Sequence, residues 1–357
     1  MCFSHSICML RKRQMEVIMK RYDWENALPK ETKEFHEKVC EVLNALPEEG
    51  RIYRMSKKGY VVAALAAIML FGSISVFAAI KWNERAADNF GADKELQKSL
   101  SNEGYSNQDI QTVSDHGITV TLEQTIQDEN LIYILFRVAS ENLELTENNG
   151  MGYKIKFSNG MDSYTSISSG FVDEIAQPEI GSSREYEIWI QKNTEYDFEG
   201  ATLTCDFNAL QKYEGKAGAV KDLVTGQWKF NIDLSVNASV EYQINKTVAF
   251  DGCDVKIHKI KLSPISYTVY CDGDDIRALQ KANNIDFNEC DTTYPLIISG
   301  IRYKDGTLIS EKGALMSEEF SGEGEDFIAT GRFTNAIDRN QVLEIIFGNM
   351  KDGISIN

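Results

Sequence analysis

The hydrophobic pattern of the 357-residue chain is dominated by one uncharged apolar run, Gly59 to Ile80. As a helix, these 22 residues would rise about 33 Å, enough to cross a hydrocarbon core of ~30 Å. We therefore predict a transmembrane helix over 59–80. The alternatives are a buried core helix and a secretory signal peptide, for which Val76-Phe77-Ala78 would fit a cleavage site.

Before this run, the pattern predicts a tail over 19–58 that contains one amphipathic helix, 31–46. The apolar positions of this helix fall at i, i+4, i+7, i+8 and i+11, so they form a single stripe. Because a lone short helix is marginal in water, the stripe predicts a partner: another protein, the membrane surface or the neighbouring tail segment. Residues 1–18 are expected to be an over-extended, disordered start. The candidate partner-binding residues are Trp24, Leu28, Phe35, Val39, Val42, Leu43 and Leu46.

After the run, a polar and helical segment is expected over 83–115, with interruptions at Gly91 and Gly104. Short strands then follow to the end of the chain, separated by turn signals that include Asn149-Gly150 and Thr225-Gly226. Strands of this length and spacing are typical of an all-β sandwich. The predicted strands of the first block are 118–123, 131–136, 153–157, 186–190, 201–207 and 228–234.

The second block, 236–357, repeats the scheme of the first, 116–235, and adds one helix over 274–284. A weak internal match supports duplication, because Gly117-x-x-Val120-x-Leu122 and Gly252-x-x-Val255-x-Ile257 lie 135 residues apart. The predicted fold class is therefore mainly β, with two tandem Ig-like β-sandwich domains, one transmembrane helix and a short α-helical tail. The predicted strands of the second block are 240–244, 255–262, 267–271, 296–303, 328–333 and 342–347.

The distribution of charge orients the predicted membrane helix and excludes one class of partner. Residues 1–59 carry a net charge of +3, and the rest of the chain carries −20. The basic flank Arg51, Arg54, Lys57 and Lys58 favours a cytoplasmic N-terminus and extracellular C-terminal domains. An acidic exterior repels phosphates, so nucleic acid is not an expected partner. We expect a single-pass cell-membrane protein that contacts the lipid bilayer, a cytoplasmic protein and an extracellular ligand or cell-wall component.

The sequence contains no catalytic constellation, so an enzyme is not expected. His116 and His258 lie at predicted strand or turn edges, and no serine-nucleophile elbow, zinc-protease motif or phosphate-binding glycine loop is present. His36 and Cys40 share one face of the tail helix at a spacing suited to zinc, but the next candidate thiol position is Leu43. No metal or cofactor is therefore predicted.

Two acidic clusters invite comparison with calcium sites, which need six to eight oxygen ligands in a defined loop. Neither cluster fits that loop, and turn or helix-capping roles account for Asp272 and Asp274. The four cysteines beyond the apolar run allow three full pairings, so bridges and buried free thiols both stay open. The clusters are Asp272-Gly-Asp274-Asp275 and Asp286 with Glu289 and Asp291, and the thiols are Cys205, Cys253, Cys271 and Cys290.

Several short hydrophobic motifs follow one another over 19–357. They are Trp24, Leu28-Pro29, Phe35-His36, Leu43 and Leu46-Pro47, the segment Gly-Ile-Thr-Val-Thr-Leu…Leu-Ile-Tyr-Ile-Leu-Phe, Leu262-Ser263-Pro264 and Ile337-Asp338…Val342. Their order resembles the domain-of-unknown-function 4179 family of Gram-positive bacteria. Members of this family look like membrane-bound anti-sigma-factor proteins, often paired with an extracytoplasmic-function sigma factor. The resemblance therefore implies a sigma factor as the partner of the tail.

Two functions of different classes follow from these observations. The first is a membrane-anchored, anti-sigma-factor-like regulator whose outer domains sense or anchor. The second is a structural or adhesive envelope protein with a tail that does not signal. The amphipathic stripe favours the regulator, because a topology signal needs only the basic residues between Arg51 and Lys58.

Overall fold

A computed structural model describes the chain from Trp82 to Ile356, within one compact unit that spans Ile68–Asn357. The predicted tail, its helix and the apolar run lie outside the described residues. Within the part of the chain that is described, no helix is long and apolar enough to span a membrane. The gaps in the description are 161–163, 173–182, 193–197, 199, 215–218, 235–238, 251, 284–295, 311–313, 322–325, 349 and 351–352.

The described chain is mainly β, as the sequence predicts, and it starts with two short helices. These are α1 (Glu84–Asn89) and α2 (Lys94–Asn102). Together with nine strands they make up what we call the first half. The strands are β1 (Ser106–Asn107), β2 (Gln111–Asp115), β3 (Ile118–Gln127), β4 (Leu131–Ser140), β5 (Asn149–Phe157), β6 (Tyr164–Phe171), β7 (Ser183–Lys192), β8 (Thr202–Glu214) and β9 (Ala219–Asp233).

Two sheets of the first half share one hydrophobic core. The six-stranded sheet has the order β1-β3-β4-β7-β6 with β2 paired to β3, and the three-stranded sheet has the order β5-β8-β9. Phe136 from the larger sheet meets Phe207 and Phe230 from the smaller one, with ring centroids 5.0 and 5.2 Å away. Aromatic side chains therefore fill the space between the sheets, in the edge-to-face and tilted geometries that rings prefer.

Strand β4 shows why residues 131–136 form a continuous apolar run. Ile132, Ile134 and Phe136 lie in the core between the sheets. The alternate side chains, including Tyr133, point to the opposite face and pack with helices α1 and α2. Because successive side chains of a strand point to opposite faces, a strand covered on both sides must be apolar throughout.

The described residues of the second half form nine strands, one inserted helix and a short 3-10 helix, Arg339–Gln341. The strands are β10 (Val240–Phe250), β11 (Cys253–Leu262), β12 (Ser266–Asp272), β13 (Ile298–Tyr303), β14 (Leu308–Ser310), β15 (Ala314–Ser321), β16 (Asp326–Arg332), β17 (Val342–Phe347) and β18 (Ile354–Ser355). A five-stranded sheet has the order β10-β11-β12-β16-β15, and a four-stranded sheet has the order β14-β13-β17-β18. Helix α3 (Gly273–Asn283) buries Ile276 and Leu279 in the core of this half, as predicted from their spacing.

The second half repeats the large sheet of the first, and strands β11 and β12 follow β3 and β4 at an offset of 135 residues. The order β3-β4-β7-β6 in one large sheet corresponds to β11-β12-β16-β15 in the other. A register shift follows Leu122 in the pairing of β3 with β4, and the same shift follows Ile257 in the pairing of β11 with β12. The turns before β3 and β11 contain Gly117 and Gly252, at φ 76° and 83°. The weak sequence match is therefore a structural repeat, while the division into two separate domains stays a prediction.

The segment predicted to be helical over 83–115 is helical only as far as Asn102. Gly104, at φ 82°, follows α2 in a left-handed conformation that terminates helices. Strand β2 then pairs along β3, with Thr112 opposite Thr121 and their hydroxyls 3.1 Å apart. The helix prediction is wrong for the residues after α2, because they pair with the edge of β3 and form a strand there. The local sequence pattern does not indicate this pairing.

Two predicted turns are also wrong, because Gly150 lies within strand β5 and Gly226 lies within β9. Both glycines leave room for an aromatic ring. A Cβ on Gly150 would lie 2.6 Å from the hydroxyl of Tyr213, and one on Gly226 would lie 2.5 Å from the ring of Trp228. Glycine inside a strand often marks such a close approach rather than a turn.

Candidate functional site

The candidate partner-binding residues of the tail lie outside the described residues, as do His36 and Cys40. The described residues contain two other polar centres, each built around a buried carboxylate. Glu187 fixes the segment that directly follows the apolar run, and Asp128 joins the two halves. These two centres determine how the N-terminal part of the described chain is attached to the β structure.

An aromatic cluster attaches helix α1 to the outer face of the six-stranded sheet. Trp82, which precedes the helix, and Phe90, which follows it, are both buried, with ring centroids 6.2 Å apart. Phe90 lies 5.5 Å from Tyr133 on β4 and 5.5 Å from Trp189 on β7. The indole N–H of Trp82 donates to the hydroxyl of Ser101 on α2 at 2.9 Å. The chain is therefore part of the packed structure only two residues after Ile80.

Glu187 lies at the centre of the contact between α1 and the sheet. Its Oε1 accepts hydrogen bonds from Arg85 at 3.0 Å, Asn89 at 2.6 Å and the hydroxyl of Tyr133 at 2.9 Å. Its Oε2 accepts from the indole N–H of Trp189 at 3.2 Å. Burial raises the pKa of Tyr133, and the Glu187 charge raises it further, so this hydroxyl stays protonated and acts as the donor. The buried carboxylate is thus fully engaged, as its desolvation requires.

The start of α1 is fixed separately. Asn83 caps the helix through the backbone N–H of Arg85 at 2.8 Å, and its own backbone N–H donates to Gln124 Oε1 at 2.7 Å. Its side-chain amide donates to Glu123 at 2.7 Å. Arg137 bridges Glu123 and Glu185, the latter at 3.0 Å. Both ends of α1 therefore bond to the same sheet, which fixes the orientation of the helix on that sheet.

Asp128 joins the two halves at the turn between β3 and β4. Its Oδ1 accepts the backbone N–H groups of Asn130 and Leu131, both at 2.8 Å. Its Oδ2 accepts hydrogen bonds from the hydroxyls of Ser263 and Ser266, the latter at 2.5 Å, in the turn between β11 and β12. Asp128 and both serines are buried. One carboxylate therefore stabilises its own turn and holds the other half.

The two turns are equivalent under the 135-residue repeat. Ser263 corresponds to Asp128, and its Oγ accepts the backbone N–H groups of Ile265 at 3.0 Å and Ser266 at 2.8 Å. Both residues thus form the same side-chain-to-backbone turn. Burial raises the pKa of Asp128, and the hydrogen bonds from Ser263 and Ser266 and from the backbone oppose that rise.

We call the contact of Asp128 with Ser263 and Ser266 the joint. Further contacts between the halves surround it. The backbone N–H of Ala336 donates to the carbonyl of Phe90 at 2.5 Å. Arg339 forms an ion pair with Glu103 at 3.3 Å, and the Arg332 guanidinium lies 4.9 Å from the ring centre of Trp189. The segment after the apolar run therefore contacts both halves.

The other candidate site residues from the sequence serve local structure where they are described. Asp272 accepts the backbone N–H groups of Asp274 and Asp275 at 3.0 and 3.1 Å, which is the expected capping role at α3. Within the described residues, no group of three potential metal ligands comes together. Cys205 and Cys271 are buried free thiols whose pKa is raised by burial. The second acidic cluster and Cys290 lie outside the described part.

Neither buried centre was predicted from the sequence, although each carries a local signal. Asp128-Glu129-Asn130 is a polar interruption between two strand runs, which indicates a turn. Glu187 is a lone carboxylate within the predicted strand 186–190, where a charge needs a partner if it is buried. What the sequence does not indicate is the partner of either residue, because Ser263 and Arg85 are distant along the chain.

Comparison with known proteins finds one family model that matches part of the chain and two weak structural similarities. No curated protein sequence matches the chain. The conserved domain protein from Bacillus anthracis is similar over 68% of this chain and 76% of its own, at 12% identity and a TM-score of 0.44. The N-terminal periplasmic domain of ScsB from Proteus mirabilis is similar over 71% and 99%, at 9% identity and a TM-score of 0.20. TM-scores below 0.5 do not establish a common fold.

Residues 53–140 match the family model "Domain of unknown function (DUF4179)". The matched part begins in the basic flank, includes the apolar run and both helices, and ends with strand β4. It therefore contains Asp128, Tyr133 and the residues of α1 that bond to Glu187. The resemblance inferred from the sequence is thereby confirmed over residues 53–140, the part of the chain that the DUF4179 model matches.

Proposed function

We propose that this protein is a membrane-anchored regulator of the anti-sigma-factor type. The tail 19–58 binds a sigma factor or another cytoplasmic protein, and the β structure lies outside the cell and senses or anchors there. The apolar run 59–80 is the single membrane span. The match of residues 53–140 to the DUF4179 family, which extends across the apolar run into the β structure, supports this assignment.

The observation that carries the proposal is the burial of Trp82, whose side chain is 2% exposed. Only Lys81 separates it from the last residue of the apolar run. A protein that merely displays a domain can use a flexible linker at this point. Here the chain passes from the apolar run directly into a packed core, so a change in the β structure is coupled to the end of the proposed membrane helix.

The proposed partner site is the apolar stripe of the tail helix, with Phe35 and Leu43 as central anchors. An amphipathic helix that docks in a groove buries anchors at i, i+4, i+7 and i+11. Burial of one Phe or Leu side chain contributes ~1.5–3 kcal/mol. The double variant Phe35→Ala/Leu43→Ala should therefore weaken a complex at least about tenfold, since ~1.4 kcal/mol corresponds to a factor of ten.

The experiment is a pull-down of sigma factors from the cytoplasm by the full-length protein, with transcription of the regulon measured in parallel. The double variant should release the partner and raise transcription. The matched control, Glu37→Ala/Lys38→Ala, changes the opposite face of the same helix and should alter neither result. If the tail captures no sigma factor, or if the double variant leaves transcription unchanged, the regulator proposal fails and the envelope-protein function replaces it.

The proposed topology has its own test. A reporter fused after Asn357 should be active only outside the cell, and protease added to intact protoplasts should degrade the β structure. Protection of the β structure from the protease would contradict an extracellular location.

A further inference from the structure

The outer faces of the two large sheets differ at one row of equivalent positions. In the first half, Ile126, Tyr133 and Trp189 lie directly opposite one another across β3, β4 and β7. The equivalent row across β11, β12 and β16 is Lys261, Thr268 and Thr330. Two aromatic rings that bond to Glu187 in the first half are therefore replaced by two small threonines in the second.

The two rows are also covered differently. Helices α1 and α2 pack over Ile126 and Tyr133 in the first half. In the described part of the second half, no helix corresponds to α1 or α2, since the one α-helix there, α3, faces the core. The cover is instead the β3–β4 turn and the end of β7, which leave a cleft of about 120 Å³ above the row.

The walls of the cleft come from the first half and its floor from the second. Glu129, Asn130 and Lys192 form the walls, and the backbone N–H of Lys192 donates to the carbonyl of Asn130 at 2.9 Å. The amide of Asn130 donates to Ser266 at 2.9 Å and to Thr268 at 3.3 Å. The joint at Asp128 therefore also fixes the geometry of the cleft.

Three of the side chains that line the cleft are nine-tenths or more buried although they are polar. Asn130 is 9% exposed, Thr268 is 4% exposed and Thr330 is 5% exposed. The hydroxyls of Thr268 and Thr330 lie 3.4 Å apart. The Thr268 hydroxyl also accepts from the Asn130 amide, so these hydroxyls are held in place within the protein and form a polar floor for the cleft.

Two ammonium groups, those of Lys192 and Lys261, line the cleft. Lys259 lies beside it, with its ammonium 4.5 Å from the ring centre of Tyr270 and 3.0 Å from the carboxylate of Glu241. Glu129 is the one carboxylate in the lining, and its Oε1 lies 3.9 Å from the Lys261 ammonium. Burial raises the pKa of Tyr270 to about 12, so its hydroxyl is a neutral donor at physiological pH.

We propose that this cleft binds a small oxyanion group, the chemistry that phosphate and carboxylate share. Two ammonium groups supply the charge, and the hydroxyls of Thr268, Tyr270 and Thr330 supply directional hydrogen bonds. The cleft of about 120 Å³ has room for a group larger than a single water. The bound anion takes over Lys261 from Glu129.

The test is calorimetric titration of the full-length protein in detergent with inorganic phosphate, with chloride used to keep the ionic strength constant. We expect saturable binding that weakens with added salt. Lys261→Met and Lys192→Met should each weaken it about tenfold, because each removes one charged hydrogen-bonding group. Thr330→Val, which removes one hydroxyl, should weaken it by a smaller factor.

Lys221→Met is the matched control, since Lys221 is an exposed lysine on β9. It should bind phosphate like the wild type. A parallel titration with acetate identifies the anion: binding of phosphate alone assigns a phosphoryl group, and binding of acetate assigns a carboxylate. The proposal is overturned if neither anion binds saturably. It is also overturned if Lys221→Met weakens phosphate binding as much as Lys261→Met and Lys192→Met do.

Lys192→Met keeps the test decisive if Thr330→Val does not fold, because Lys192 is only half-buried at the end of its strand. The proposal does not depend on the proposed regulatory function. Phosphate binding is measured without a tail partner, so failure of one proposal leaves the other standing.

Discussion

At the scale of single residues, the two buried carboxylates illustrate how a charge is accommodated inside a protein. Transfer of a carboxylate from water to an interior is costly unless hydrogen bonds replace its hydration. Glu187 receives four such bonds from side chains, including Arg85, and Asp128 receives two from the backbone and two from serines. Glu187 has a positive partner, whereas Asp128 bonds only to neutral donors.

This difference predicts a pH dependence that originates at Asp128. Because burial raises its pKa in the folded state, the folded protein binds a proton at this site more tightly than the unfolded chain does. The contribution of Asp128 to the free energy of unfolding is therefore greatest below its unfolded pKa of ~3.9. It falls as the pH rises through the higher folded pKa, and it is constant above that value.

The measurement is urea unfolding of the wild type and of Asp128→Asn between pH 4 and neutral. The variant cannot titrate at this position, so the difference in free energy of unfolding isolates the carboxylate. The wild type should lose stability relative to the variant as the pH rises from the acidic end, and the difference should then level off. A difference that does not vary with pH would contradict the assignment.

At the scale of secondary-structure elements, Gly91 controls how α1 leads into α2. Its φ of 51° is left-handed, and a Cβ there would lie 2.1 Å from Oδ1 of Asn335 in the second half. Gly91→Ala should therefore lower the free energy of unfolding in two ways: by ~1 kcal/mol for the left-handed backbone, and by a further amount for the clash. Chemical unfolding measures the sum.

Gly160→Ala is the matched control, because Gly160 has φ 76° but nothing within 4 Å of its Cβ position. Gly160→Ala should lower the free energy of unfolding only by the ~1 kcal/mol that comes from the left-handed backbone. Adding Asn335→Ala to Gly91→Ala should recover the part that comes from the clash. If Gly91→Ala and Gly160→Ala lower the free energy of unfolding equally, the clash with Asn335 makes no measurable contribution.

The elements that the sequence predicts well are those whose pattern is set by burial alone. Residues 131–136 are apolar because both faces of β4 are covered, and α3 shows a single apolar face because it covers one core. The strands β6 and β15 were not predicted, since both lie at sheet edges and carry many polar residues. Their strand structure comes from pairing with β7 and β16, which only the fold supplies.

The candidate site shows the same limit. A turn at Asp128 can be read from the sequence, and so can the repeat at an offset of 135 residues. The contact between the two equivalent turns cannot be inferred from the sequence, because it depends on how the two halves pack against each other. The cleft beside them depends on the same docking, and its lysines look like ordinary surface charges in the sequence.

At the scale of the whole molecule, the buried joint predicts that the two halves unfold together. The hydrogen bonds that Asp128 accepts from Ser263 and Ser266, the packing of α1 on both halves and the Arg339–Glu103 ion pair would all be lost if one half opened alone. Coincident transitions by different probes are the standard sign of such cooperativity.

The chain offers a convenient pair of probes. Trp82, Trp189 and Trp228 all lie in the first half, and the second half contains no tryptophan. In a variant that carries Trp24→Phe and keeps Cys271 as its single cysteine, tryptophan fluorescence follows the first half, and the labelling of Cys271, buried in the second, follows the other. The two urea midpoints should coincide. Separate midpoints would show that the joint is too weak to couple the halves.

The contact between equivalent turns also has a consequence for how the duplicated copies diverged. Two aspartates at the paired positions 128 and 263 would bring two carboxylates together, and two serines would leave the buried donors without a charged acceptor. Identical copies are therefore disfavoured at this position, and the observed pair, Asp128 with Ser263, is one of two complementary solutions. The other is the exchanged pair, because aspartate and serine both support the same turn.

Exchange of the two residues tests this complementarity directly. Asp128→Ser and Ser263→Asp should each lower the free energy of unfolding by ~2–4 kcal/mol, the first by loss of the carboxylate and the second by carboxylate repulsion. The double variant should recover at least half of the summed loss in a double-mutant cycle measured by urea unfolding. Losses that simply add would mean that the two turns do not interact energetically. Recovery would mean that aspartate and serine at these two positions depend on each other, whichever half carries which.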